Sequence, residues 1–239
     1  MVPQTSFSLN LDFEALLASA LRSQAAYLED PVQAAKAFGD LGLEFIGQYT
    51  SPGHQAVLSR DHENVYLSIS GTRFGQSGGA FDLFEDIDLL PLTISTGVHV
   101  TAGAFDGLDE MWAWAKKEMN DSTVFTVDGH SLGAWRARYT ALFLPPERIG
   151  AVYSFESPKG ANAAFWEAYP MPYLTSVVNG GDSWSMWPRW GTEWVHPDVP
   201  LVHLLKSGYD LVKPSGLPDM LVPTDHAIES IVQRLRALT

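Results

Sequence analysis

The chain has 239 residues, 46% of them apolar and 18% charged, with a formal net charge of -13 and no cysteine. That apolar content specifies a folded globule, and the length suffices for one large buried core. The acidic balance excludes nucleic acid and anionic lipid as electrostatic partners, and the missing cysteine excludes disulfides, thiolate metal sites and a cysteine nucleophile.

Met1 to Ser6 contain no basic segment leading into an apolar core and a small-residue cleavage site, and no apolar run reaches membrane-spanning length. A soluble chain without a signal peptide is expected, either cytoplasmic or secreted with its leader removed. Apolar residues recur at helical spacing over residues 11 to 28, and a second short helix should start after Pro31 and stop near Gly39. Three strands follow, at Leu43–Tyr49, His54–Leu58 and Asn64–Ser70, the first two joined through Ser51-Pro52-Gly53. Residues 75 to 82 are glycine-rich and read as a loop. Helix 103 to 119 carries Phe105, Leu108, Met111, Trp112 and Ala115 on one face. Strand 123 to 128, helix 132 to 144, strand 150 to 155, helix 161 to 168 and strand 173 to 179 then alternate, and an amphipathic helix closes the chain over Asp225–Leu238. Such alternation predicts an α/β fold, with a mostly parallel central sheet, helices on both faces and an antiparallel N-terminal edge. Neither a repeat nor a linker interrupts it, so residues 1–239 are expected to form one domain.

At the centre of that alternation, Val124-Phe125-Thr126-Val127-Asp128 runs into Gly129-His130-Ser131-Leu132-Gly133, followed by helix-favouring residues. Strand, Gly-x-Ser-x-Gly, helix is the context of a nucleophile elbow. The turn brings the residues two either side of Ser131 so close that both must lack a Cβ, and Gly129 and Gly133 do. Ser131 is the expected nucleophile, and the amide of Leu132, at the start of the helix, is one expected oxyanion donor.

On this architecture an acid and then a histidine follow the serine, each after a later strand. Asp182 follows the apolar strand and the turn Asn179-Gly180-Gly181, whereas Asp198, Asp210, Asp219 and Asp225 follow no clear strand end. Of seven histidines, His226 stands at the entrance of the last helix, where a base can reach back over the sheet. His203 lies inside the strand-like Pro200–Leu205 and reads as a packed structural residue. Thr72, after strand Val65–Ile69, is the candidate second oxyanion residue, although Ser70-Gly71-Thr72 also reads as an ordinary turn.

These segments, in order from about residue 64 to residue 237, resemble the class 3 lipases, the fungal-type triacylglycerol lipase family with the α/β-hydrolase fold. Val65–Arg73 resembles the strand that ends in the oxyanion residue, Val98–Phe105 the segment opening the helix before the elbow, and Val152–Asn162 the V-Y-T-F-G-x-P-R-x-G-N signature. Val178–Asp182 resembles the strand bearing the acid, Leu201–Gly208 the later strand with a non-catalytic histidine, and Asp225-His226 the terminal pair. The resemblance implies a serine carboxylester hydrolase, a lipase or esterase, with catalytic Ser131, Asp182 and His226 and an oxyanion hole of Thr72 and Leu132. A phospholipase A1 or feruloyl-type aryl esterase is the alternative within that chemistry, and a non-catalytic hydrolase-like binding protein is the alternative outside it. Glu156 stands where the signature has glycine, Ala134-Trp135 where a small pair is usual, and Arg136 falls unexpectedly early in a buried helix.

The same resemblance makes residues 73–90 a candidate lid, with Phe81 and Phe84 among its apolar residues and as candidate substrate contacts. Asp82, Glu85, Asp86 and Asp88 lack the glycine and terminal glutamate of a calcium loop and read as a solvated acidic face. Trp184, Trp187, Trp190 and Trp194 follow the acid. They read either as loop packing or, for Trp184 and Trp187 above all, as an apolar substrate wall or lipid-facing surface. No cofactor or metal is expected. The expected substrate is an ester or lipid, with a lipid-water interface as one place it is met; the sequence leaves the oligomeric state open.

Overall fold

The computed structural model describes residues 11–72, 88–188, 193–217 and 222–239. Helix α1, Phe13–Ala25, starts where the Asp12 carboxylate accepts from the Ala15 amide, and α2, Pro31–Asp40, starts where Asp30 caps Val32 and Gln33. Pro31 occupies the first turn of α2, where its missing N–H costs nothing. A hairpin of β1, Glu44–Ser51, and β2, His54–Arg60, turns at Gly53, whose φ is +75°. Strand β3, Val65–Ile69, completes the antiparallel edge.

A small antiparallel pair, β4 at Pro91–Ser95 and β5 at Val98–Thr101, turns at Gly97 and was not anticipated from the sequence. The single helix expected over 103 to 119 is two, α3 at Ala102–Phe105 and α4 at Leu108–Lys117. Gly107 breaks it at φ +69°, and a Cβ there would lie 2.8 Å from the His54 ring, so only glycine fits the joint.

Strand β6, Phe125–His130, leads to α5, Leu132–Ala137; then come β7, Ile149–Phe155, α6, Ala163–Ala168, and β8, Leu174–Asn179. Helix α5 stops seven residues short of the expected end at 144. The Thr140 hydroxyl donates to the Ala137 carbonyl at 2.7 Å and competes with the helical ladder, and a 3-10 turn follows at Thr140–Leu142. Strands β9, Leu201–Leu204, and β10, Tyr209–Val212, form a second antiparallel edge, and α7, Ile228–Arg236, ends the chain.

Eight of the described strands make one sheet in the order β1-β2-β3-β6-β7-β8-β9-β10, parallel from β3 through β9. Alternate residues of β6 and β7 therefore face opposite helical layers. Val127 and Val152 pack with Met111 and Trp112 of α4 and Trp135 of α5. Phe155, Val177 and Val202 pack on the other face with Leu16 of α1 and Ile231 and Leu235 of α7. Each fully buried aliphatic side chain of α7 contributes about 1.5–3 kcal/mol, which fixes the helix that follows His226.

An ion pair ties α1 to the central strand. Arg22 bonds Asp128 at 2.8 Å, Ser23 donates to the same carboxylate at 3.1 Å, and the guanidinium lies 4.1 Å from the Tyr66 ring centroid. Breaking such a buried pair by removing one partner costs about 3–5 kcal/mol. Asp128 stands three residues before Ser131, so the pair clamps the strand that carries the candidate site.

Candidate active site

Strand β6 delivers Ser131 at φ 57° and ψ -124°, a left-handed conformation that costs a non-glycine residue about 1–3 kcal/mol. The surroundings enforce it. A Cβ on Gly129 would lie 2.4 Å from the Gly133 carbonyl group, and one on Gly133 would lie 2.1 Å from the Ile69 oxygen. The Ser131 amide donates to Phe155 at 2.9 Å, which locks the elbow to the end of β7.

Two residues from distant segments line up behind the Ser131 side chain. His226 Nε2 is 2.9 Å from Ser131 Oγ, and His226 Nδ1 is 2.7 Å from Asp182 Oδ2. The other Asp182 oxygen accepts from the Trp184 amide at 3.0 Å. Ser131, Asp182 and His226 are 1%, 0% and 3% exposed. Burial pushes the Asp182 carboxyl up, but hydrogen bonds from His226 and Glu156 outweigh it and hold the group below its ordinary range. A carboxylate accepting from Nδ1 makes that nitrogen the protonated one and leaves Nε2 free to accept from the serine hydroxyl.

The acid's competitors are engaged elsewhere or remote from this chain of bonds. Asp225 pairs with Arg234 at 2.6 Å and accepts from the Gly181 amide at 2.8 Å. Arg234 also donates to Asn179 at 2.7 Å, and Asn179 donates to the Asp225 carbonyl at 2.6 Å, so this network shapes both the acid turn and the histidine loop. Asp198 and Asp210 are exposed, and Asp219 lies outside the described residues. His203 Nε2 donates to the Gly180 carbonyl at 2.7 Å.

Opposite the histidine, the loop after β3 rests on the elbow: a Cβ on Gly71 would lie 2.6 Å from the His130 oxygen and 3.0 Å from Ser131 Cβ. Thr72 Oγ1 is buried and without a hydrogen-bond partner. The Leu132 amide, first in α5, has no acceptor among the described residues. Two unpaired donors beside the serine are what a developing oxyanion needs.

One set of bonds here escaped sequence reasoning. The Tyr27 hydroxyl bonds His130 Nδ1 at 2.7 Å, His130 Nε2 bonds the His226 carbonyl at 2.7 Å, and the Tyr27 oxygen sits against Gly71, 2.3 Å from where a Cβ would lie. A carbonyl only accepts, so Nε2 carries the His130 proton and Tyr27 donates to Nδ1. Burial above all pushes His130 down to about 3 and keeps it neutral. Tyr27 thus links α1 to the loop after β3, the elbow and the loop that carries His226. Nothing in the local sequence of a tyrosine past a helix end marks that role.

The departures from the resembled pattern each have a local account. Trp135 packs over Gly160, where a Cβ would overlap its indole nitrogen, and meets Trp187 edge-on at 5.9 Å. Arg136 is buried and donates to the carbonyls of Ala104 at 3.2 Å and Gly53 at 3.4 Å. Arg138, deeper still, donates to Ser154 at 2.8 Å, Ser176 at 2.9 Å and His196 Nδ1 at 2.9 Å, and burial pulls it down to about 9. Trp184 is 7% exposed, 6.1 Å from the His226 ring and 6.1 Å from Trp187. Its burial suits a packed wall beside the histidine rather than a lipid-facing surface. Phe81, Phe84 and most of the candidate lid, residues 73–87, lie outside the described residues, as do Asp82, Glu85 and Asp86.

Glu156, Asp182 and His226 bring donor atoms within 4.8 Å of one another, a spacing a metal ion could also use. The 2.7 Å between His226 Nδ1 and Asp182 Oδ2 is that of a hydrogen bond, whereas two ligands of a tetrahedral zinc stand roughly 3.4 Å apart. None of the described helices is long and apolar enough to cross a membrane.

No family model matches the sequence, and no curated protein matches it. Solved structures do. A lipase from Rhizopus microsporus var. chinensis superposes with a TM-score of 0.71 at 16% identity, over 90% of this chain and 85% of the other. Lipase II from Rhizopus niveus gives 0.68 at 18% identity, over 90% and 92%. The triacylglyceride lipase of Rhizomucor miehei gives 0.66 at 17% identity, over 92% and 94%. The chain has the α/β fold of these lipases, with an eight-stranded, mostly parallel sheet flanked by helices.

Proposed function

We propose that the chain is a serine carboxylester hydrolase that cleaves acyl esters, of the kind the lipases of this fold take, through an acyl-enzyme on Ser131. The observation that carries this reading is the unbroken chain Ser131 Oγ to His226 Nε2 to Asp182, at 2.9 Å and 2.7 Å, on a serine held at φ 57°. His226 takes the hydroxyl proton as Ser131 Oγ attacks the ester carbonyl, and Asp182 stabilises the resulting imidazolium. The oxyanion is met by the Leu132 amide and by Thr72, whose buried hydroxyl gains its partner in the transition state. His226 then returns the proton to the leaving alcohol, and a water, deprotonated by His226 in its turn, releases the acid and restores the serine.

A fluorophosphonate probe should label the purified protein stoichiometrically and fail to label Ser131→Ala. A folded wild-type protein that resists labelling would instead be a hydrolase-like binding protein. Among esterases, a p-nitrophenyl ester series from short to long acyl chains separates the lipase reading, supported by the folds it superposes on, from a short-chain esterase.

A further inference from the structure

Glu156 stands apart from the other acids among the described residues. It ends β7 at φ 55°, and among the described residues only Ser131 shares a positive φ without being glycine. The position is therefore a glycine slot that holds a long carboxylic acid, and that acid is fully buried. One carboxyl oxygen, Oε1, accepts from the Asn179 amide; the other finds no donor. A carboxyl oxygen of Glu156, one of Asp182 and a ring nitrogen of His226 all lie within 4.8 Å of one another.

Two carboxyl groups this close and fully buried do not both ionise readily, so one of them keeps a proton. Asp182 has the stronger claim to the charge, because it accepts from His226 and from the Trp184 amide as well. Glu156 has a single backbone donor. Burial and the neighbouring Asp182 charge push Glu156 well above the usual carboxylate range, and Asp225 adds to that push. The other charged or titratable groups about this cluster are Arg234, which neutralises Asp225 at 2.6 Å, and His130, whose ring lies 5.0 Å from that of His226.

We infer that Glu156 is a positioning residue of the site: as a neutral acid it donates a hydrogen bond to Asp182, fixing that carboxylate behind His226 and ensuring that a single negative charge faces the imidazole. The chain of hydrogen bonds thereby runs through four side chains, from Ser131 to Glu156. No bond breaks at Glu156 and its proton stays in place through turnover. The inference rests on the esterase reading for its kinetic consequence and not for the proton itself.

Three measurements test it. Infrared spectroscopy at neutral pH should show the carbonyl stretch of a buried neutral carboxylic acid in the wild type and in Ser131→Ala, and lose it in Glu156→Gln. Glutamine keeps both hydrogen bonds and cannot ionise, so Glu156→Gln should retain turnover near the wild-type value at neutral pH. The wild type should lose kcat at alkaline pH as Glu156 ionises, and Glu156→Gln should lack that fall. Glu156→Leu removes the hydrogen bond to Asp182 and should lower kcat roughly 10- to 100-fold with little change in KM. Superimposable alkaline limbs for wild type and Glu156→Gln, or no change in the infrared band, overturn the inference. If Glu156→Leu does not fold, the glutamine variant and the infrared band still decide. If the wild type hydrolyses no ester and takes no fluorophosphonate, the functional reading falls, and the band alone decides where the proton sits.

Discussion

Replacing Tyr27 by phenylalanine removes one oxygen and nothing else, yet that oxygen serves three loops. Its proton goes to His130 Nδ1 at 2.7 Å, and the oxygen itself packs against Gly71, 2.3 Å from where a Cβ would lie. Burial pushes the Tyr27 hydroxyl above its ordinary range, so it remains a donor at any working pH. Tyr27→Phe leaves an imidazole nitrogen buried and unpaired, at about 1–3 kcal/mol. Part of this is offset because a hydroxyl no longer has to be dehydrated, so the net loss is about 1–2 kcal/mol. In a chain of this size each kcal/mol moves the midpoint by roughly 2–4 °C, which predicts a Tm lower by about 2–8 °C. Activity should fall as well, in kcat more than in KM, because Gly71 lies against Ser131 and His130 supports the His226 carbonyl. Differential scanning calorimetry and steady-state ester hydrolysis measure the two effects. A Tm within about 1 °C of wild type, with kcat unchanged, would falsify the tautomer and donor assignments together.

Ser131→Ala and His226→Ala should each reduce ester hydrolysis by several orders of magnitude. His203→Ala, which loses only a bond to the Gly180 carbonyl, should cost about 1 kcal/mol of stability and leave turnover largely intact. The reverse pattern in folded variants would assign the base to His203. Thr72→Val keeps the backbone amide and deletes the buried hydroxyl, so kcat should drop roughly 10- to 1,000-fold at similar KM; an unaltered kcat would remove the hydroxyl from the oxyanion site. Stability should depend on pH through the paired acids with opposite signs. Glu156 is raised, so the folded chain holds a proton that the unfolded chain releases above the ordinary carboxylate range. The stability it contributes is present below that range and is lost as pH rises toward its folded value, by up to about 1.4 kcal/mol per pH unit. Asp182 is lowered, so its contribution is present above the ordinary range and is lost as pH falls through its folded value. Guanidinium melts from mildly acidic to alkaline pH should show stability falling above the ordinary carboxylate range in wild type and a flatter profile in Glu156→Gln; equal slopes would contradict the assignment.

The elements that sequence alone could determine are those whose causes are local. A β-branched run, two glycines and a following helix former suffice for the elbow, because the steric conflict they relieve lies within five residues. The parallel strands β6 to β8 were legible for the same reason, as apolar runs alternating with helical periods. Where the determining atom lies far along the chain, the reading failed or was silent. One expected helix is broken at Gly107 because the His54 ring fills the space of its missing Cβ. The early end of α5 is the local exception, set by the Thr140 hydroxyl turned back onto the Ala137 carbonyl, which helical periodicity does not reveal. Strands β4, β5 and β10 are short, and pairing rather than propensity makes them strands. In the candidate site, residue order pointed to Ser131, Asp182 and His226, and only the folded chain brings them within hydrogen-bond reach. Tyr27 and the protonated Glu156 belong wholly to tertiary structure. A hydroxyl becomes a three-way link, and a carboxyl keeps its proton, only when packing removes water and sets their partners opposite them. Both partners and dryness come from segments more than twenty residues away.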